Sequence, residues 1–383
     1  MHFVVFTHSL ISDWNHGNAH FLRGVATELV ERGHSVRIFE PTDAWSRMNL
    51  VAEYGSGPII EFRAAYPKLR SRFYDLETLD LDAALYHADA VIVHEWNSHD
   101  LVRRIGEHRA AHRDYRLFFH DTHHRSVTDP SAMARYDLRH YDGVLAYGSV
   151  IANLYRERGW ARRAWTWHEA ADVRVFRPGK TLPHGRGSDV SSDSGSDGDL
   201  VWVGNWGDDE RTEELREFLI EPVKALGLKA RVYGVRYPRH ALRELEAAGI
   251  DYGGWLPNYR VPETFARYRV TVHIPRRPYA RALPGIPTIR PFEAMACGIP
   301  LISAPWDDCE GLFRAGRDFV FARDGGEMVA HLRRVLSRPD VARSLITHGL
   351  ETIHARHTCA HRATELEAIV ESCSEPALCT RGD

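Results

Sequence analysis

The sequence predicts an α/β protein with two Rossmann-like domains that face each other across a cleft. Its 383 residues exceed the roughly 250–300 residues at which a single hydrophobic core stops growing. Short apolar segments alternate with helix-length segments in both halves, as in parallel sheets covered by helices. Between the halves, residues 179–199 are rich in Gly, Ser and Asp and cannot bury much apolar surface, so we expect a flexible linker there.

Apolar segments predict the strands of the first domain, residues 1–178. Each is long enough for a buried strand of a parallel sheet, and polar segments of helical length separate them. A helix at about Ala19–Arg32 lies between the first two strands. The predicted strands are His2–Thr7, Val36–Phe39, Ala90–His94, Leu117–His120 and Gly143–Tyr147.

The same alternation returns in residues 200–358, which we assign to the second domain. Its predicted strands are Leu200–Val203, Ala230–Tyr233, a segment near Tyr252, Val270–Ile274 and Pro300–Ser303. Its predicted helices are Arg211–Leu226, His240–Ala248 and one that contains Phe292–Ala296. A last helix within residues 359–373 is expected to return to the first domain, and residues 374–383 to form a frayed tail.

Composition excludes several classes of protein. Lys and Arg number 49 against 52 Asp and Glu, a formal charge of −3, so there is no basic field to hold nucleic acid. No run of about 18 apolar residues and no secretory leader is present, so we expect a cytoplasmic protein without a transmembrane segment. The five cysteines have no CxxC spacing and are expected to be free thiols.

A polar loop joins the first strand to the first helix. It contains His16, Gly17 and Asn18, and it lies where open α/β sheets present backbone amides to ligands. We therefore consider it as a contact for an anionic or sugar ligand. The alternative is a polar turn that only caps the helix.

A second polar segment directly follows the strand that ends at His120. Because the carboxyl ends of parallel strands share one edge of the sheet, its side chains are expected to face the same cleft as the first loop. Two roles for this segment stay open: contacts to a sugar or phosphate, and ordinary capping of a loop. A zinc site is not expected, because the adjacent His123 and His124 cannot easily aim at one ion. The segment is His120-Asp121-Thr122-His123-His124-Arg125.

In the second domain, Gly204, Asn205, Trp206 and Gly207 follow a strand, and Arg211 begins the next helix. Backbone amides and a guanidinium group would together hold a pyrophosphate. The alternative is a tight turn capped by one of the acids at 208 and 209.

The most informative segment is 285–303, with the sequence GIPTIRPFEAMACGIPLIS. Arg290, Phe292 and Glu293 lie at the start of a helix of small residues, which is followed by Gly-x-Pro and an apolar strand. At a cleft, Glu293 could accept hydrogen bonds from both hydroxyl groups of a ribose. Alternatively, its charge only favours the positive end of the helix.

These segments resemble GT-B glycosyltransferases. PTIRPFEAMACGIPLIS is similar to their nucleotide-binding signature, Glu-x-Met/Leu-Ala-Cys/Ala-Gly-x-Pro. SDWNHGNAH and ERGHSVRIFE resemble the opening loop, first helix and second strand, and HEAADVRVFRP resembles the end of the first domain. YGGWLPNYRVPETFARYRVTVHIP resembles the segment before the donor site. The chain resembles in particular the CgeB-like (spore-maturation) glycosyltransferases, related to family 4, from Met1 to about Glu371.

The resemblance implies a hexosyltransferase that uses a nucleotide-sugar such as a UDP- or GDP-sugar as co-substrate, with no cofactor and no metal. The acceptor would be an unidentified glycan or small molecule, as in polysaccharide biosynthesis, and retention of stereochemistry is favoured. By this likeness Glu293 binds the ribose, Asn205 and Arg211 hold the pyrophosphate, and His120 lies near the donor sugar. An inverting enzyme would instead need a general base in the first domain, such as His16 or His20.

Two positions depart from the family pattern. The acid usually found eight residues before Glu293 is replaced by Gly285, and Asn205 replaces a cation, for which Arg290 could substitute. A sugar-nucleotide epimerase of the same fold and an inactive sugar-nucleotide-binding protein therefore stay open. A nicotinamide oxidoreductase is disfavoured because no GxGxxG follows the first strand.

The sequence Asp80-Leu81-Asp82 imitates the metal-binding DxD of another class of glycosyltransferase. It lies in a polar, helix-like stretch, so we expect it to cap a helix or to face solvent. The acceptor is expected to contact first-domain loops such as Asp43–Pro67, which contain Trp45 and Tyr54.

Overall fold

Two parallel β-sheets, one in each half of the chain, form the framework of the protein. The computed structural model describes residues 1–112, 114–179 and 196–373. The first sheet has seven strands in the order β3-β2-β1-β4-β5-β6-β7, where β1 is the first in sequence. These strands are β1 His2–Phe6, β2 Ser35–Pro41, β3 Ser71–Tyr74, β4 Ala90–His94, β5 Arg116–Asp121, β6 Gly143–Ala146 and β7 Ala164–Thr166.

The second sheet has six strands in the order β10-β9-β8-β11-β12-β13. They are β8 Gly198–Val203, β9 Ala230–Tyr233, β10 Ile250–Tyr252, β11 Tyr268–His273, β12 Leu301–Ser303 and β13 Val320–Phe321. In both sheets the first strand lies between the second and the fourth, the reversal of strand order that defines a Rossmann crevice. The predicted α/β class with two Rossmann-like domains is confirmed.

Helices cover both faces of each sheet. Those of the first domain are α1 Ala19–Glu31, α2 Trp45–Tyr54, α3 Gly57–Ala65, α4 Leu81–Leu85, α5 His99–Ala111, α6 Arg125–Thr128, α7 Pro130–Ala134 and α8 Ser149–Glu157. Those of the second are α9 Thr212–Leu215, α10 Glu221–Leu226, α11 Arg239–Ala247, α12 Val261–Phe265, α13 Arg277–Ala282, α14 Ile289–Cys297, α15 Gly325–Ser337 and α16 Pro339–Arg356. A π-helical turn, Arg216–Ile220, joins α9 to α10.

The last helix, α17 Cys359–Ser372, lies against α1 of the first domain. Gly24 of α1 permits this close approach, since a Cβ there would lie 2.4 Å from the Cys359 sulfur. Arg32 donates to Glu367 at 2.6 Å, and the Trp167 indole donates to the carbonyl of Arg362 at 2.9 Å. Residues near the end of the described chain thus complete the first domain.

Several boundaries differ from those expected. Of the linker predicted at 179–199, residues 180–195 lie outside the described residues, and β8 already begins at Gly198. The tail 374–383 is also outside them. The segment 43–67, expected to be a loop, instead forms α2 and α3. Among the described residues, no helix is both long and apolar enough to cross a membrane.

Candidate active site in the interdomain cleft

A cleft of about 770 Å³ lies between the two domains, at the carboxyl edges of both sheets. Its volume is in the range of pockets that hold small-molecule ligands. The first domain contributes the loops after β1, β4 and β5, and the second contributes those after β8, β9, β10 and β11. The strand reversal in each sheet separates the loops at this edge and so leaves room for the cleft.

The structure brings most of the predicted site residues to the cleft surface and leaves the others behind it. Those that line it are His16, Gly17, Asn18, His123, His124, Gly204, Asn205, Arg211 and Arg290. Those that do not are His120, Asp121, Arg125, Trp206, Phe292 and Glu293.

His120 was expected near the donor sugar, but its side chain is fully buried on the α1 side of the first sheet. Its ring contacts Phe21 and Trp167, with ring centroids 6.0 and 4.9 Å apart. Burial lowers its pKa to about 3, so the imidazole is neutral. β5 continues through His120 to Asp121, and this position of the strand faces the core and not the edge of the sheet. The side chain of His120 therefore does not line the cleft in this structure, and its contact with a donor sugar stays a prediction.

Asp121 and Arg125 support the cleft loop from behind. Asp121 accepts hydrogen bonds from the Tyr155 hydroxyl at 2.8 Å and from the backbone of His123 at 3.1 Å. The guanidinium of Arg125 pairs with the buried Glu95 at 2.6 Å and lies 4.2 Å from the centre of the Trp96 ring. Neither side chain is available to a ligand, and both fix the loop that carries the cleft residues.

Trp206 and Phe292 were assigned to the donor site but belong to the core. The Trp206 ring packs edge-on against Tyr237, with centroids 5.8 Å apart. Phe292 packs against Phe313 at 5.0 Å. Both side chains are almost completely buried. Apolar side chains next to a loop are drawn into the nearest core, which outweighs their place in a sequence motif.

Glu293 is fully buried, and both of its oxygens already have partners. Oε1 lies 2.7 Å from His20 Nδ1 and 2.7 Å from the amide nitrogen of Asn258, while Oε2 accepts from Arg290. Burial opposes ionisation, but Arg290 and His20 outweigh it and hold the pKa of the carboxyl below its usual value. In this structure Glu293 orients Arg290 and Asn258 instead of facing a ribose.

Four arginines of the second domain line the cleft: Arg211, Arg236, Arg276 and Arg290. Arg276 follows β11 and was missed in the sequence, although a charged residue directly after an apolar strand signals a position at the sheet edge. It pairs with Glu210 at 3.1 Å. This group of cations suits an anionic ligand.

Arg211 acts as a brace between two loops. Its Nε donates to the carbonyl of Asn205 at 3.1 Å, and its Nη1 donates to the carbonyl of Ile274 at 2.9 Å. The guanidinium also lies 5.1 Å from the centre of the Trp202 ring. Burial, with Arg276 nearby, lowers its pKa to about 9. A bound anion would offset the repulsion between Arg211 and the nearby cations.

Glu169 is a cleft residue that the sequence interpretation missed. It follows β7, within the segment HEAADVRVFRP, and is buried. Its Oε1 accepts a hydrogen bond from Asn18 Nδ2 at 3.1 Å. Burial raises its pKa to about 8, and the charge of Glu293 adds to the shift. At neutral pH this carboxyl is protonated and can donate a hydrogen bond into the cleft.

His16 lies at the cleft but is buried among other histidines. Its ring contacts those of His8 and His94, with centroids 5.9 Å apart in both pairs. Burial, together with the neighbouring His8 and Arg23, lowers its pKa to about 3. An imidazole with so low a pKa is a weak base at neutral pH, so this site offers little support for His16 as a general base.

Aromatic side chains form much of the remaining wall. Trp45 stacks on His8 with centroids 4.5 Å apart and meets the edges of Trp14 and Trp96, each at 6.3 Å. Flat apolar rings next to polar groups are typical of pockets that hold ring-shaped ligands with hydroxyl groups. The five tryptophans at the cleft are Trp14, Trp45, Trp96, Trp202 and Trp255.

Hydrogen bonds join the two domains beside the cleft. The carboxylate of Asp13 accepts from Arg23 at 2.8 Å, from the Trp255 indole at 2.9 Å and from the backbone of Asn258 at 3.0 Å. Asn205 also donates to Asn15. We refer to Asp13, Trp255 and Asn258 as the interdomain latch.

A second junction explains why Gly285 departs from the family pattern. Glu310 of the second domain accepts from the backbone of Ser149 at 2.9 Å and lies 3.0 Å from His168. Gly285 has a φ of +84°, and a Cβ there would lie 2.5 Å from Glu310 Oε1. Both the backbone conformation and this contact therefore exclude a side chain at position 285.

Residues 211–368 match the model of a family described as glycosyl transferase-like. Sequence comparison with curated proteins gives no match. The matched segment begins at Arg211 and includes Arg276, Arg290 and Glu293, so it covers most of the second-domain side of the cleft.

Comparison with solved structures shows the same fold over nearly the whole chain. Sucrose-phosphate synthase from Thermosynechococcus elongatus has a TM-score of 0.64 at 13% identity, with 97% of this chain and 98% of that chain covered. Anabaena Alr3699/HepE, in complex with UDP and glucose, has a TM-score of 0.66 at 12% identity, with 97% and 100% covered. T4 phage BGT, in complex with UDP-glucose, has a TM-score of 0.57 at 12% identity, with 98% and 100% covered. The protein therefore has the GT-B fold, and residues 211–368 are similar to a glycosyl transferase-like family.

Proposed function

We propose that this protein transfers a hexose-type sugar from a nucleotide-sugar donor to an acceptor held in the interdomain cleft. The observation that carries the proposal is the meeting of two surfaces in one cleft: a group of arginines on the second domain and a wall of tryptophans on the first. The first suits a diphosphate and the second suits a sugar or another ring-shaped acceptor. The family match in the second domain supports the same function.

The donor would lie against the second domain. Arg276 and Arg290 present cationic groups at the cleft, and Gly204 lies at the cleft in the loop after β8. Structural relatives that hold UDP or UDP-glucose support a UDP-sugar as the donor. Arg211 would contribute by holding the loop after β8 against the end of β11.

Transfer builds negative charge on the departing diphosphate. Fixed cations at Arg276 and Arg290 would stabilise that charge in the transition state without a metal ion. Retention of stereochemistry is part of the proposal, and it agrees with the weak basicity of His16. Glu169, protonated at neutral pH, would donate a hydrogen bond to a hydroxyl or phosphate oxygen of the donor.

The acceptor would enter along the first domain. Trp14, Trp45 and Trp96 line that side, and Asn49 adds a polar group on α2. Aromatic faces pack against the apolar face of a sugar ring or of another cyclic acceptor, while nearby polar groups bond its hydroxyls. We propose a glycan or a cyclic small molecule as acceptor.

A screen of UDP-, GDP-, ADP- and TDP-sugars by thermal shift and calorimetry tests the donor assignment. A donor at 100 times its dissociation constant adds about 2.7 kcal/mol to the free energy of unfolding. Release of nucleotide with candidate acceptors, measured with and without EDTA, then tests transfer. We expect UDP-sugars to bind and turnover to persist in EDTA.

Matched variants locate the site. Arg276→Ala should weaken donor binding, whereas Arg243→Ala, which removes an exposed arginine on α11, should leave it unchanged. Failure of all four sugar nucleotides to bind would contradict the proposed function. Isomerisation of the donor sugar without acceptor would indicate an epimerase instead.

A further inference from the structure

We propose that Asp82, His108 and His112 form a binding site for a divalent transition metal on the surface of the first domain, outside the cleft. One potential ligand atom from each residue lies within 4.8 Å of the others. None of the three lines the cleft. This is a second site, independent of the proposed sugar transfer.

The two histidines are four residues apart at the carboxyl end of α5. His108 lies in the last turn of α5, and His112 is the C-cap residue of that helix. Their rings lie nearly parallel, with centroids 4.3 Å apart. His108 Nε2 is 3.0 Å from Asp82 Oδ1, close to the roughly 3.3 Å between ligands in a tetrahedral site with bonds of about 2.0 Å.

Neighbouring groups set the ring orientations that a metal requires. His112 Nδ1 donates to the carbonyl of His108 at 3.2 Å, which leaves Nε2 with its lone pair free. His108 Nδ1 lies 3.0 Å from the Tyr115 hydroxyl, which can accept a hydrogen bond from Nδ1–H when Nε2 binds a metal. Histidine ligands in metal sites usually have such a partner at the second ring nitrogen.

The short helix α4 positions the carboxylate. Asp80 caps this helix by accepting from the backbone of Ala83 at 3.1 Å, which places Asp82 in its first turn. The Asp82 side chain is 81% exposed and that of His108 is 12% exposed, so a metal can enter from solvent and keep a water ligand. Two imidazoles and one carboxylate favour Zn²⁺, Ni²⁺ or Co²⁺ over Mg²⁺ or Ca²⁺. A bound metal would link α4 to α5.

Titration of the metal-stripped full chain with Zn²⁺ tests the site, with Co²⁺ as a spectroscopic probe. We expect one Zn²⁺ to bind more tightly than any other equivalent and to raise the midpoint of thermal unfolding. His112→Ala and Asp82→Asn change exposed side chains and should each weaken that binding at least tenfold. His140→Ala, which removes an exposed histidine elsewhere in the first domain, is the matched control.

Equal affinity in wild type, His112→Ala and Asp82→Asn would overturn the proposal, as would equal stabilisation by Mg²⁺. His108→Ala is less informative because this ring also contacts Tyr115. Nucleotide-sugar binding, measured in the same samples, should not change with Zn²⁺ or with these variants. A failed metal titration therefore leaves the proposed transferase activity untouched, and a failed donor screen leaves the metal site untouched.

Discussion

Two buried glutamates near the cleft show how neighbouring side chains decide whether a carboxyl group is ionised. Glu293 has a guanidinium beside it, and its pKa stays below the usual value. Among the described residues, Glu169 accepts a hydrogen bond only from the amide of Asn18, and burial raises its pKa to about 8. The same residue type is therefore an anion in one place and a neutral hydrogen-bond donor in the other.

Replacement of Glu169 by glutamine should change the pH dependence of donor binding. Below about pH 8 the wild-type carboxyl is protonated and does not repel a diphosphate. Above that pH it ionises, and donor affinity should fall by up to about tenfold per pH unit. Glu169→Gln keeps a carbonyl oxygen for Asn18, and its donor affinity should fall only above about pH 9, where Arg211 loses its charge. Calorimetry at values from about pH 6 to about pH 10, on both sides of this pKa, measures the donor affinity.

Glu157→Gln, on the exposed end of α8, is a suitable control for this comparison. Parallel pH profiles for wild type and Glu169→Gln would show that Glu169 does not meet the donor. A change in the Glu157→Gln profile would point to a general effect of surface charge.

Glu293→Ala should weaken donor binding by about 1–3 kcal/mol, because Arg290 and Asn258 lose the carboxylate that orients them. Glu293→Gln retains an oxygen for Asn258 but no charge for Arg290, and its affinity should be intermediate. Calorimetry gives the affinity, and thermal unfolding shows whether the variants stay folded. An affinity within twofold of wild type in a folded Glu293→Ala variant would refute this role.

At the scale of elements, the ends of β8 and β11 form one unit through Arg211. The side chain reaches backbone carbonyls at Asn205 and Ile274, one after each strand. Arg211→Lys keeps the charge but cannot bond both carbonyls. With a loss of about 1–1.5 kcal/mol per hydrogen bond, donor affinity should fall about tenfold. Arg243→Lys, an exposed position on α11, should bind as wild type does, and equal affinity in both variants would exclude the brace.

Strands with continuous apolar runs were predictable from the sequence. β4 has the predicted bounds, Ala90–His94, because all five of its residues are buried. β3 was missed, since three of its four residues are partly or fully exposed and no apolar run marks it. β13 has only two residues. Sequence patterns reveal burial on both faces of a sheet, but not short strands at its edge.

Site residues were predictable as loops but not as individual side chains. The segments after β1, β5 and β8 all reach the cleft, because the edge of a parallel sheet is set by topology. Successive residues of a strand point to opposite faces of the sheet, and β5 ends at Asp121. An error of one residue in the predicted end of β5 therefore changes whether His120 or His123 is expected to face the cleft. Arg276 is signalled only by its position after the apolar strand β11. Glu169 lies in a segment that resembles the family, but nothing in that segment distinguishes its side chain, so the packed structure was needed to place it at the cleft.

For the whole molecule, the interdomain latch should control how far the cleft opens. Asp13→Ala removes the acceptor for Trp255 and Asn258, so the radius of gyration should increase and donor binding should weaken. Trp255→Phe removes one donor while leaving the Asp13–Arg23 pair intact, and should have a smaller effect. Small-angle scattering of each variant, with and without donor, measures both changes.

Asp251→Ala, at an exposed position of β10, is the control for the latch. Donor should restore a compact form of Asp13→Ala, because its contacts on both domains favour the closed arrangement. An unchanged radius of gyration in folded Asp13→Ala would mean that the other contacts between the domains, at Glu310, Asn15–Asn205 and His20–Glu293, hold them together without the latch.

The position of α17 has a consequence for synthesis of the chain. Arg32, next to α1, pairs with Glu367, 335 residues later in the sequence. A ribosome releases the second domain before this helix, so the second domain can fold while the first still lacks part of its cover. The surface of α1 around Gly24 stays open to solvent until α17 emerges. Nascent chains at that stage would be substrates for chaperones that bind exposed apolar helices.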